Sequence, residues 1–460
     1  LSARHLDKLC ERVDTFSVSG DGERLVVRHR DDIIVVPSSH KVDGDDPACI
    51  RVDLTRLRRT VNPRAEWRQM FDENGRLMAS HYWREDMNGV DWDSVLNRYR
   101  PLVDLCHVVD DLHDILWETV AELNTSHSYV SASGAAGDSD MRAGLLGADV
   151  SSGNDGAKVV RVIPGESSDP RAWSPLRAAG VAVTEGDVIV AVDGRKVGAD
   201  GNLGELLEGS AGRVVELTVR RGENERQVAV VPMADEAPLR YHDWVASRRR
   251  YVEEHSGGRL GYLHVPDMVS DGWAELHRQI GEATRHEGVI ADVRFNHGGH
   301  TSQLVVERLA RRVVGWDYSR WYATADTYPQ NAVRGPIVMV TNQWAGSDGD
   351  IVAAATQAMG YAKVIGERSW GGVVGIDGRF DLVDGTSVTQ PRYAGWYGSY
   401  GWGVENHGVD PDIVVTVSPE DWEADRDVQL DAAIAECLRQ LDDKPAATAP
   451  ELPGPAFDRC

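Results

Sequence analysis

The chain has 460 residues, with 49 Lys and Arg against 73 Asp and Glu and a net charge of −24. A domain usually holds about 100–200 residues, so the length predicts roughly three or four folded units, and the acidic balance argues against nucleic acid or an anionic membrane as a general partner. No stretch approaches the ~18 consecutive apolar residues of a transmembrane helix, and five cysteines without a spacing pattern are typical of a reducing, cytoplasmic compartment.

The N-terminal segment contains short β-rich runs separated by turn signals. Residues 15–18, 25–29 and 33–36 have strand-forming composition, and Gly- and Asp-containing turns lie between them. This pattern predicts a short antiparallel meander, which is either the unit of a β-propeller or a small capping sheet on the next domain. A lone meander cannot bury both faces, and the chain opens on Leu1 rather than Met. We therefore interpret residues 1–60 as a partial propeller remnant, cut from a longer chain.

Residues 61–138 change to helical periodicity. Apolar side chains recur at three- and four-residue steps, first around Trp92 and again before Asn124. Pro101 interrupts this run, so the pattern predicts one helix before Pro101 and a longer one that ends near Asn124. Residues 131–138 are mostly small and have the composition of a linker.

Residues 139–236 read as a separate unit of short strands and tight turns. Gly-Asp at 186–187 and Asp-Gly at 193–194 are turn pairs between β-branched runs. The unit resembles a PDZ domain of the permuted kind found inside processing proteases. Residues 144–147 match the loop in which PDZ domains hold the C-terminal carboxylate of a peptide on backbone N–H groups. Peptide capture and purely intramolecular docking are both compatible with this unit.

Residues 237–445 alternate apolar strands with helical stretches. Mostly apolar runs at residues 260–265, 288–295, 336–341 and 362–366 are predicted strands, and amphipathic segments separate them. This alternation predicts a parallel or mixed sheet with helices on its faces, closed by a last helix over residues 428–441. The Pro- and Ala-rich residues 446–460 are predicted to form a disordered tail.

Two strand ends in this α/β region carry groups suited to catalysis, because active sites of open α/β sheets form at the carboxyl ends of strands. One strand runs into Gly298 and Gly299, whose backbone can approach a ligand closely, although paired glycines also occur in plain turns. Another leads through Ser347 into an Ala-rich helix, which places a serine at a strand-to-helix junction. Ser347 is the candidate nucleophile, and capping of the helix is its plainer alternative role.

A nucleophilic serine needs a base, and two histidines are candidates. His407 lies downstream of Ser347, in the chain order of an α/β-hydrolase esterase, but Ala345 replaces the first glycine of the Gly-x-Ser-x-Gly elbow. His127 lies far upstream, directly after Ser126 in a polar loop where a histidine is often only solvated. These residues alone leave both histidines open as the base.

The order of these features along the chain resembles one family. A helical segment ending in Ser-His, a permuted PDZ unit and an α/β domain with Asn-x-Gly-Gly and a later Gly-Ser-Asp are similar to the C-terminal processing (tail-specific) serine proteases, and within them to the tricorn branch. The typical processing proteases use a Ser-Lys pair, but here Lys363 lies in the strand before the expected position, which favours the tricorn branch. The implied fold is multidomain: a propeller remnant, a helical domain, a PDZ-like domain and an α/β domain with a crotonase-like mixed sheet.

The resemblance also implies roles for individual residues. Ser347 matches the nucleophile and His127 the general base. Ser126 and Glu405 match the groups that orient this histidine, which completes a Ser-His-Ser-Glu tetrad.

The same resemblance implies an oxyanion hole and a specificity pocket. The oxyanion donors are the backbone N–H groups of Asp348 and of one paired glycine, for which we favour Gly299. Asp317 is the best match to an aspartate that favours basic substrate side chains and comes from a neighbouring subunit, with Asp326 as a nearby rival. The chain has neither metal-ligand spacing nor a phosphate-cradling loop, so no metal or cofactor is predicted.

These resemblances imply a cytoplasmic serine endopeptidase or oligopeptidase. It would cleave peptides, including products of the proteasome, by acyl-enzyme chemistry inside a closed homo-hexamer, with the proteasome and aminopeptidases as partners. Neither nucleic acid nor a membrane is expected as a partner. Two alternatives stay open: a non-catalytic protein that binds peptides or other ligands on the same fold, and a serine esterase that uses Ser347 with His407.

Overall fold

The computed structural model describes the following residues: 8–10, 13–132, 141–198 and 200–452. It divides into two compact units, Leu1–Glu66 and Trp67–Cys460. Most of the predicted linker at 131–138 lies outside the described residues. None of the described helices combines the length and apolar character that crossing a bilayer requires. The described residues also include no cluster of three or more His, Cys, Asp or Glu side chains arranged for a metal ion.

The smaller unit is an antiparallel meander. Its strands pair in chain order and are β1 (Thr15–Val18), β2 (Arg24–His29), β3 (Asp32–Pro37) and β4 (Ile50–Arg51). The turn from β1 to β2 passes through Gly22, whose φ of +78° favours glycine. The three predicted strands are confirmed, whereas β4 is too short to show a periodic pattern in the sequence. The origin of this sheet in a propeller stays a prediction.

The larger unit begins with helices, as the periodicity predicts. Its first elements are α1 (Pro63–His81), α2 (Trp92–Val103), α3 (Val109–Ala121) and the short strand β5 (Val130–Ser131). Helix α2 contains Pro101, so the prediction that a helix ends before this proline is wrong. A proline so close to the C-terminus of a helix leaves few hydrogen bonds beyond it to break. The indole Nε1 of Trp92 donates to the Gly75 carbonyl at 3.0 Å and ties α2 to α1.

The PDZ-like region is a small sheet with one short helix. Its elements are β6 (Ala148–Gly153), β7 (Gly156–Val162), β8 (Val188–Val192), β9 (Arg195–Lys196), α4 (Leu203–Leu206), β10 (Val215–Arg221) and β11 (Asn224–Val230). The strand order is β11-β10-β8-β7-β6, with β9 attached to β8. The inward residues of these strands form a core of their own, which includes Val159, Ile189 and Leu217. Strand β6 lies at the edge of the sheet, and its residues after Asp149 are exposed.

The α/β domain follows as alternating helices and strands. In chain order it contains α5 (Ala237–His255), β12 (Leu260–His264), α6 (Ser270–Ala283), β13 (Gly288–Asp292), α7 (Ser302–Leu309), β14 (Gly315–Asp317), β15 (Asp326–Tyr328), β16 (Ile337–Thr341), α8 (Asp348–Met359), β17 (Ala362–Gly366), β18 (Gly375–Asp377), β19 (Ser387–Val388), β20 (Gln390–Tyr393), β21 (Ile413–Val414), α9 (Pro419–Glu423) and α10 (Val428–Asp443). The main sheet has the order β12-β13-β16-β17-β21. Each neighbouring pair is parallel, so the mixed sheet implied by the resemblance is corrected to a parallel one.

Helices cover both faces of this parallel sheet. Val289 and Ala291 of β13 pack into a core shared with α6, α7 and α8, whereas Ile290 between them packs on the opposite face with α5 and α10. Every central strand is therefore buried on both sides, which explains the continuous apolar runs in the sequence. Because the strands are parallel, their carboxyl ends lie at one edge of the sheet, and the candidate site lies at that edge.

Strand β13 is shorter than the sequence pattern predicts. The apolar run reaches Phe295, but the strand ends at Asp292. Phe295 has a φ of +59°, which turns the chain away from the sheet and toward Gly298 and Gly299. The early end of the strand is therefore what brings the paired glycines to the sheet edge.

The described part of the predicted disordered tail contacts the α/β domain. The backbone N–H of Ala447 donates to the Arg334 carbonyl at 2.8 Å. The Tyr318 hydroxyl donates to the carbonyl of Pro450. Disorder of the tail as a whole stays a prediction, but Ala447 and Pro450 are hydrogen-bonded to the α/β domain.

Candidate active site

Ser347 lies at the turn between β16 and α8, where it is the residue before the first helical turn. Its backbone has a φ of 57° and a ψ of −121°, which a residue with a side chain rarely adopts. Such strain is typical of a nucleophilic serine on a sharp strand-to-helix turn. The Ser347 side chain makes no capping hydrogen bond, so its plainer interpretation as a helix cap is wrong.

The paired glycines lie directly against this serine. A Cβ atom added to Gly298 would come within 2.5 Å of the Ser347 Cβ, so a side chain at this position would displace the serine. The Gly298 N–H already donates to Asn296 Oδ1 at 2.8 Å. In the described part of the chain no acceptor is recorded for the N–H groups of Gly299 and Asp348. These two groups are therefore available to an oxyanion, which agrees with the favoured pair.

Asn296 and Asn342 hold the two strand ends together. Asn296 is fully buried, and its carbonyl accepts from the Gly346 N–H at 3.0 Å. Asn342 Oδ1 accepts from the N–H groups of Phe295 at 3.0 Å and Trp344 at 3.2 Å. The glycine loop and the turn at Ser347 thus share hydrogen bonds, which hold Gly298, Gly299 and Ser347 at the same edge of the sheet.

A second group of residues forms a chain of hydrogen bonds that starts at His127. Ser126 Oγ lies 3.1 Å from His127 Nδ1 and donates to Glu405 Oε2 at 3.0 Å. The Ser126 backbone N–H donates to the other carboxylate oxygen, Oε1, at 2.7 Å. Because Ser126 Oγ gives its single proton to Glu405, it suits an imidazole that carries its proton on Nδ1, the neutral form with a free electron pair on Nε2. The structure thus brings together all three predicted residues in one hydrogen-bonded chain.

The Glu405 carboxylate has two further donors that sequence reasoning missed. The backbone N–H groups of Val373 and Val374 donate to Glu405 Oε2 at 2.8 and 3.0 Å. Together with Ser126 they hold the carboxylate in one position. Backbone donors leave no signature in side-chain identity, so no sequence pattern reveals them.

Thr389 holds the backbone on either side of this histidine. Its hydroxyl donates to the His127 carbonyl and accepts from the Tyr129 N–H at 2.7 Å. The Thr389 N–H donates to the Tyr129 carbonyl at 3.0 Å, next to the pairing of β5 with β19. His127 itself has a φ of +60°, which this clamp maintains. Thr389 is therefore a supporting residue for which the sequence holds no signal.

The environment of His127 favours the neutral imidazole. Burial lowers its pKa from the ordinary value of 6.5, and the negative charge of Glu405 opposes this effect only in part. The edges of Tyr129 and Trp370 contribute to the burial, with ring centroids 5.7 and 5.5 Å from the imidazole. A neutral imidazole accepts a proton, so the pKa shift suits a base that acts near neutral pH.

This shift predicts the pH dependence of activity. A histidine can act as a base only when neutral, so with His127 in this role we expect activity to fall as the pH drops through its pKa, and a lowered pKa moves this loss to lower pH. We expect the acid limb of kcat/KM for a fluorogenic peptide to have its midpoint below pH 6.5, the ordinary value for histidine. A midpoint above neutrality in a stopped assay across buffers of constant ionic strength would contradict the assignment of His127.

Ser347 and His127 approach each other through Trp370. A Cβ atom on Gly346, the residue before Ser347, would lie 2.7 Å from the Trp370 ring, which also contacts the His127 imidazole. Within the described residues no hydrogen bond joins Ser347 Oγ to His127. Catalytic hydrogen bonds often close only when substrate is bound. Gly346, next to Ser347, and His127 therefore both lie beside the Trp370 indole.

A buried carboxylate, Asp350, links the nucleophile turn to the loop that holds Glu405. It accepts from Ser369 Oγ and from the N–H groups of Gly371 at 2.8 Å and Gly372 at 3.2 Å. Burial raises the pKa of Asp350 to about 6. Sequence reasoning missed this residue, although an acid three positions after a helix-start serine is a known capping pattern. The two halves of the site are therefore tied together inside the protein.

The rival bases lie elsewhere. His407 is exposed, and its Nε2 lies 2.8 Å from Asp410 Oδ2. Lys363 Nζ lies 3.2 Å from Asp412 Oδ1 on the side of β17. No recorded contact in the described residues joins either side chain to Ser347.

Asp317 and its rival Asp326 are exposed and directly opposite one another in the β14–β15 ladder. In the described part of this single chain, no hydrogen bond or ion pair joins either carboxylate to the Ser347 site. Asp348 plays a different part, because its side chain is buried and accepts from the Ser302 N–H at 3.0 Å. Burial raises the pKa of Asp348, and the Ser302 hydrogen bond opposes this shift.

Comparison with known proteins agrees with this arrangement. Residues 259–415 match Peptidase family S41, residues 144–235 match the Tricorn protease PDZ domain, and residues 63–121 match the Tricorn protease C1 domain. The chain belongs to the tricorn branch of peptidase family S41. This result confirms the predicted family, and it accounts for the helical, PDZ-like and α/β regions in their observed order.

Several tricorn proteins are similar over almost the whole chain. Tricorn protease homolog 1 of Streptomyces coelicolor is 57% identical over 98% of the chain, and Tricorn protease of Thermoplasma acidophilum is 35% identical over 96%. A crystal structure of the tricorn protease superposes with a TM-score of 0.87 at 34% identity and covers 96% of the chain. The chain spans less than half of these relatives, covering 43% of the Streptomyces protein, 41% of the Thermoplasma protein and 43% of the crystallised chain.

Proposed function

We propose that this chain is a serine peptidase that cleaves peptides through an acyl-enzyme. The observation that carries the proposal is the strained Ser347 turn, which packs against Gly298 next to two N–H groups without recorded acceptors. The hydrogen-bonded chain from His127 through Ser126 to Glu405 supports it further. Membership of a peptidase family supports peptides as the substrates.

In the proposed reaction, Ser347 Oγ attacks the scissile carbonyl carbon while His127 Nε2 takes the hydroxyl proton. The oxyanion accepts hydrogen bonds from the N–H groups of Gly299 and Asp348. His127 then returns the proton to the leaving amine. Water attacks the resulting ester with the same base, which frees the acid product and restores the serine.

Ser126 and Glu405 orient the base in this proposal. The Ser126 hydroxyl accepts from Nδ1–H of His127, and the carboxylate fixes that hydroxyl. As the imidazole becomes positively charged, the carboxylate stabilises it through the intervening serine. This relay is longer than a direct His-carboxylate pair, but it meets the same two needs of orientation and charge.

The substrate preference and assembly are also proposals. Asp317 faces Asp326 across β14 and β15, so the two carboxylates form an exposed acidic pair suited to a basic substrate side chain. From the family resemblance, we infer that this pair serves a neighbouring copy within a homo-hexamer. Oligopeptides such as proteasome products are the proposed substrates, with aminopeptidases acting downstream.

Labelling with a fluorophosphonate tests the reaction class. We expect the reagent to modify Ser347, identified by peptide mapping, because the turn and the base make this hydroxyl nucleophilic. Ser347→Ala is the unlabelled control, and Ser152→Ala, which removes an exposed serine of β6, tests that labelling is selective. No labelling of the wild-type chain would favour a peptide-binding protein on the same fold.

A further inference from the structure

The loop at residues 144–147 of the PDZ-like domain already has partners for most of its N–H groups. The Gly144 N–H donates to the Leu207 carbonyl and the Leu145 N–H to the Met233 carbonyl, both at 2.8 Å. PDZ domains capture a peptide's C-terminal carboxylate on N–H groups of this kind. Whether the loop is free to bind a peptide carboxylate therefore depends on the acceptor of the N–H at its last residue, Gly147.

That acceptor is itself a carboxylate. The Gly147 N–H donates to Glu236 Oε1 at 2.7 Å. The other oxygen of this side chain, Oε2, accepts from Arg240 Nε at 2.7 Å, and Arg240 Nη1 donates to Asp149 of β6 at 2.9 Å. Only 12% of the Glu236 side chain is exposed. An internal carboxylate, held by an arginine that also contacts the edge strand, thus fills the position of a peptide terminus.

The start of α5 closes the remaining space around the loop. Leu239 is fully buried, and a Cβ atom added to Gly147 would lie 2.9 Å from its Cδ2 atom. The same Cβ atom would also lie 2.8 Å from the Ser174 Cα atom. The Ser174 hydroxyl donates to the Leu146 carbonyl at 3.0 Å. The φ of Gly147 is +65°, so glycine also suits the turn. The loop is packed between its own domain and α5.

We propose that Glu236 is a built-in ligand of the PDZ-like domain. It occupies the carboxylate loop, docks the domain on α5 and excludes the C-termini of free peptides. Because the ligand is part of the chain, its effective concentration is far above that of a free peptide, roughly millimolar or higher for short connections. Of the two interpretations compatible with the sequence, intramolecular docking is the one that the hydrogen bonds favour.

The test uses the full chain with Ser347→Ala, which prevents cleavage, so its result is independent of the proposed peptidase function. The probe is a fluorescein-labelled peptide ending in Val-Val-Leu with a free carboxylate, and its amidated twin is the control. In fluorescence anisotropy we expect the chain with intact Glu236 to bind neither peptide. With Glu236→Ala, we expect the carboxylate peptide to bind at least about 10-fold more tightly than the amide. This factor corresponds to the usual free energy of a hydrogen bond to a charged group.

Hydrogen exchange of the segment that contains Gly147 provides a second readout. We expect exchange of this amide to rise about 10-fold in Glu236→Ala. Glu236→Gln keeps a carbonyl acceptor and should stay close to wild type, as should Glu253→Ala at the exposed far end of α5. Binding of the carboxylate peptide to the chain with intact Glu236 would overturn the proposal. So would unprotected exchange of Gly147 in that chain, or an alanine variant that changes neither binding nor exchange.

Discussion

We expect His127→Ala to lower kcat/KM for a fluorogenic peptide by about 10,000-fold, the upper range for loss of a general base, and His407→Ala to leave it unchanged. The reason lies in the hydrogen bonds. Ser126 holds the Nδ1 side of His127 and leaves Nε2 as an acceptor, while the ring of His407 is exposed and lies beside Asp410. Without His127 the serine hydroxyl keeps its proton and is a poor nucleophile at neutral pH.

The control for this prediction is non-additivity. A serine and its base act as one unit, so Ser347→Ala should abolish activity to a similar extent, and the double variant with His127→Ala should be no worse than either alone. Thermal unfolding of each variant separates lost chemistry from lost structure. Full activity in His127→Ala, together with loss in His407→Ala, would return the base to His407 and favour an esterase.

Glu405→Gln is expected to lower kcat by about 100- to 1,000-fold with little change in KM, within the range for a disturbed general base. Both carboxylate oxygens of Glu405 face only donors, namely two groups of Ser126 and the N–H groups of Val373 and Val374. A glutamine must turn its NH₂ group toward at least one of these donors. The Ser126 hydroxyl then loses its fixed direction, and with it the tautomer and orientation of His127.

The pH profile distinguishes this effect from a general loss of structure. The charge of Glu405 raises the pKa of His127, so its removal lowers that pKa further. The acid limb of kcat/KM should therefore move to lower pH in Glu405→Gln. Glu423→Gln, an exposed change at the end of α9, is the matched control and should leave both kcat and the profile unchanged. Wild-type kcat in Glu405→Gln, or an acid limb that moves upward, would contradict the relay.

The local parts of the site were predictable because local sequence carries their physics. The turn at Ser347 is predictable from an apolar run, a serine and an Ala-rich helical stretch that follow one another in the sequence. The paired glycines after β13 are also visible in the sequence, directly after an apolar run. Predictions from local sequence were wrong about where two elements end, because one residue's preference was outweighed by its position in the structure. Pro101 stays inside α2 because few hydrogen bonds remain beyond it, and β13 ends early because the turn at Phe295 removes the chain from the sheet.

Contacts between residues that are far apart in the sequence could be seen only in the tertiary structure. Ser126 and Glu405 are 279 positions apart, and only the packing of the helical region against the α/β domain brings them to 3.0 Å. Family resemblance named these two residues, but it did not supply the backbone donors of Val373 and Val374 or the link through Asp350.

By itself, the sequence determined the turn at Ser347, the order of the regions along the chain and the acidic charge, because each depends on neighbouring residues or on a simple sum. Tertiary structure decided that His127 rather than His407 lies beside Ser126 and Glu405, and that the carboxylate of Glu236 accepts from the Gly147 N–H. The physical reason is that hydrogen bonds across loops depend on where separate segments meet. Burial, which lowers the pKa of His127 and raises that of Asp350, exists only once those segments have packed.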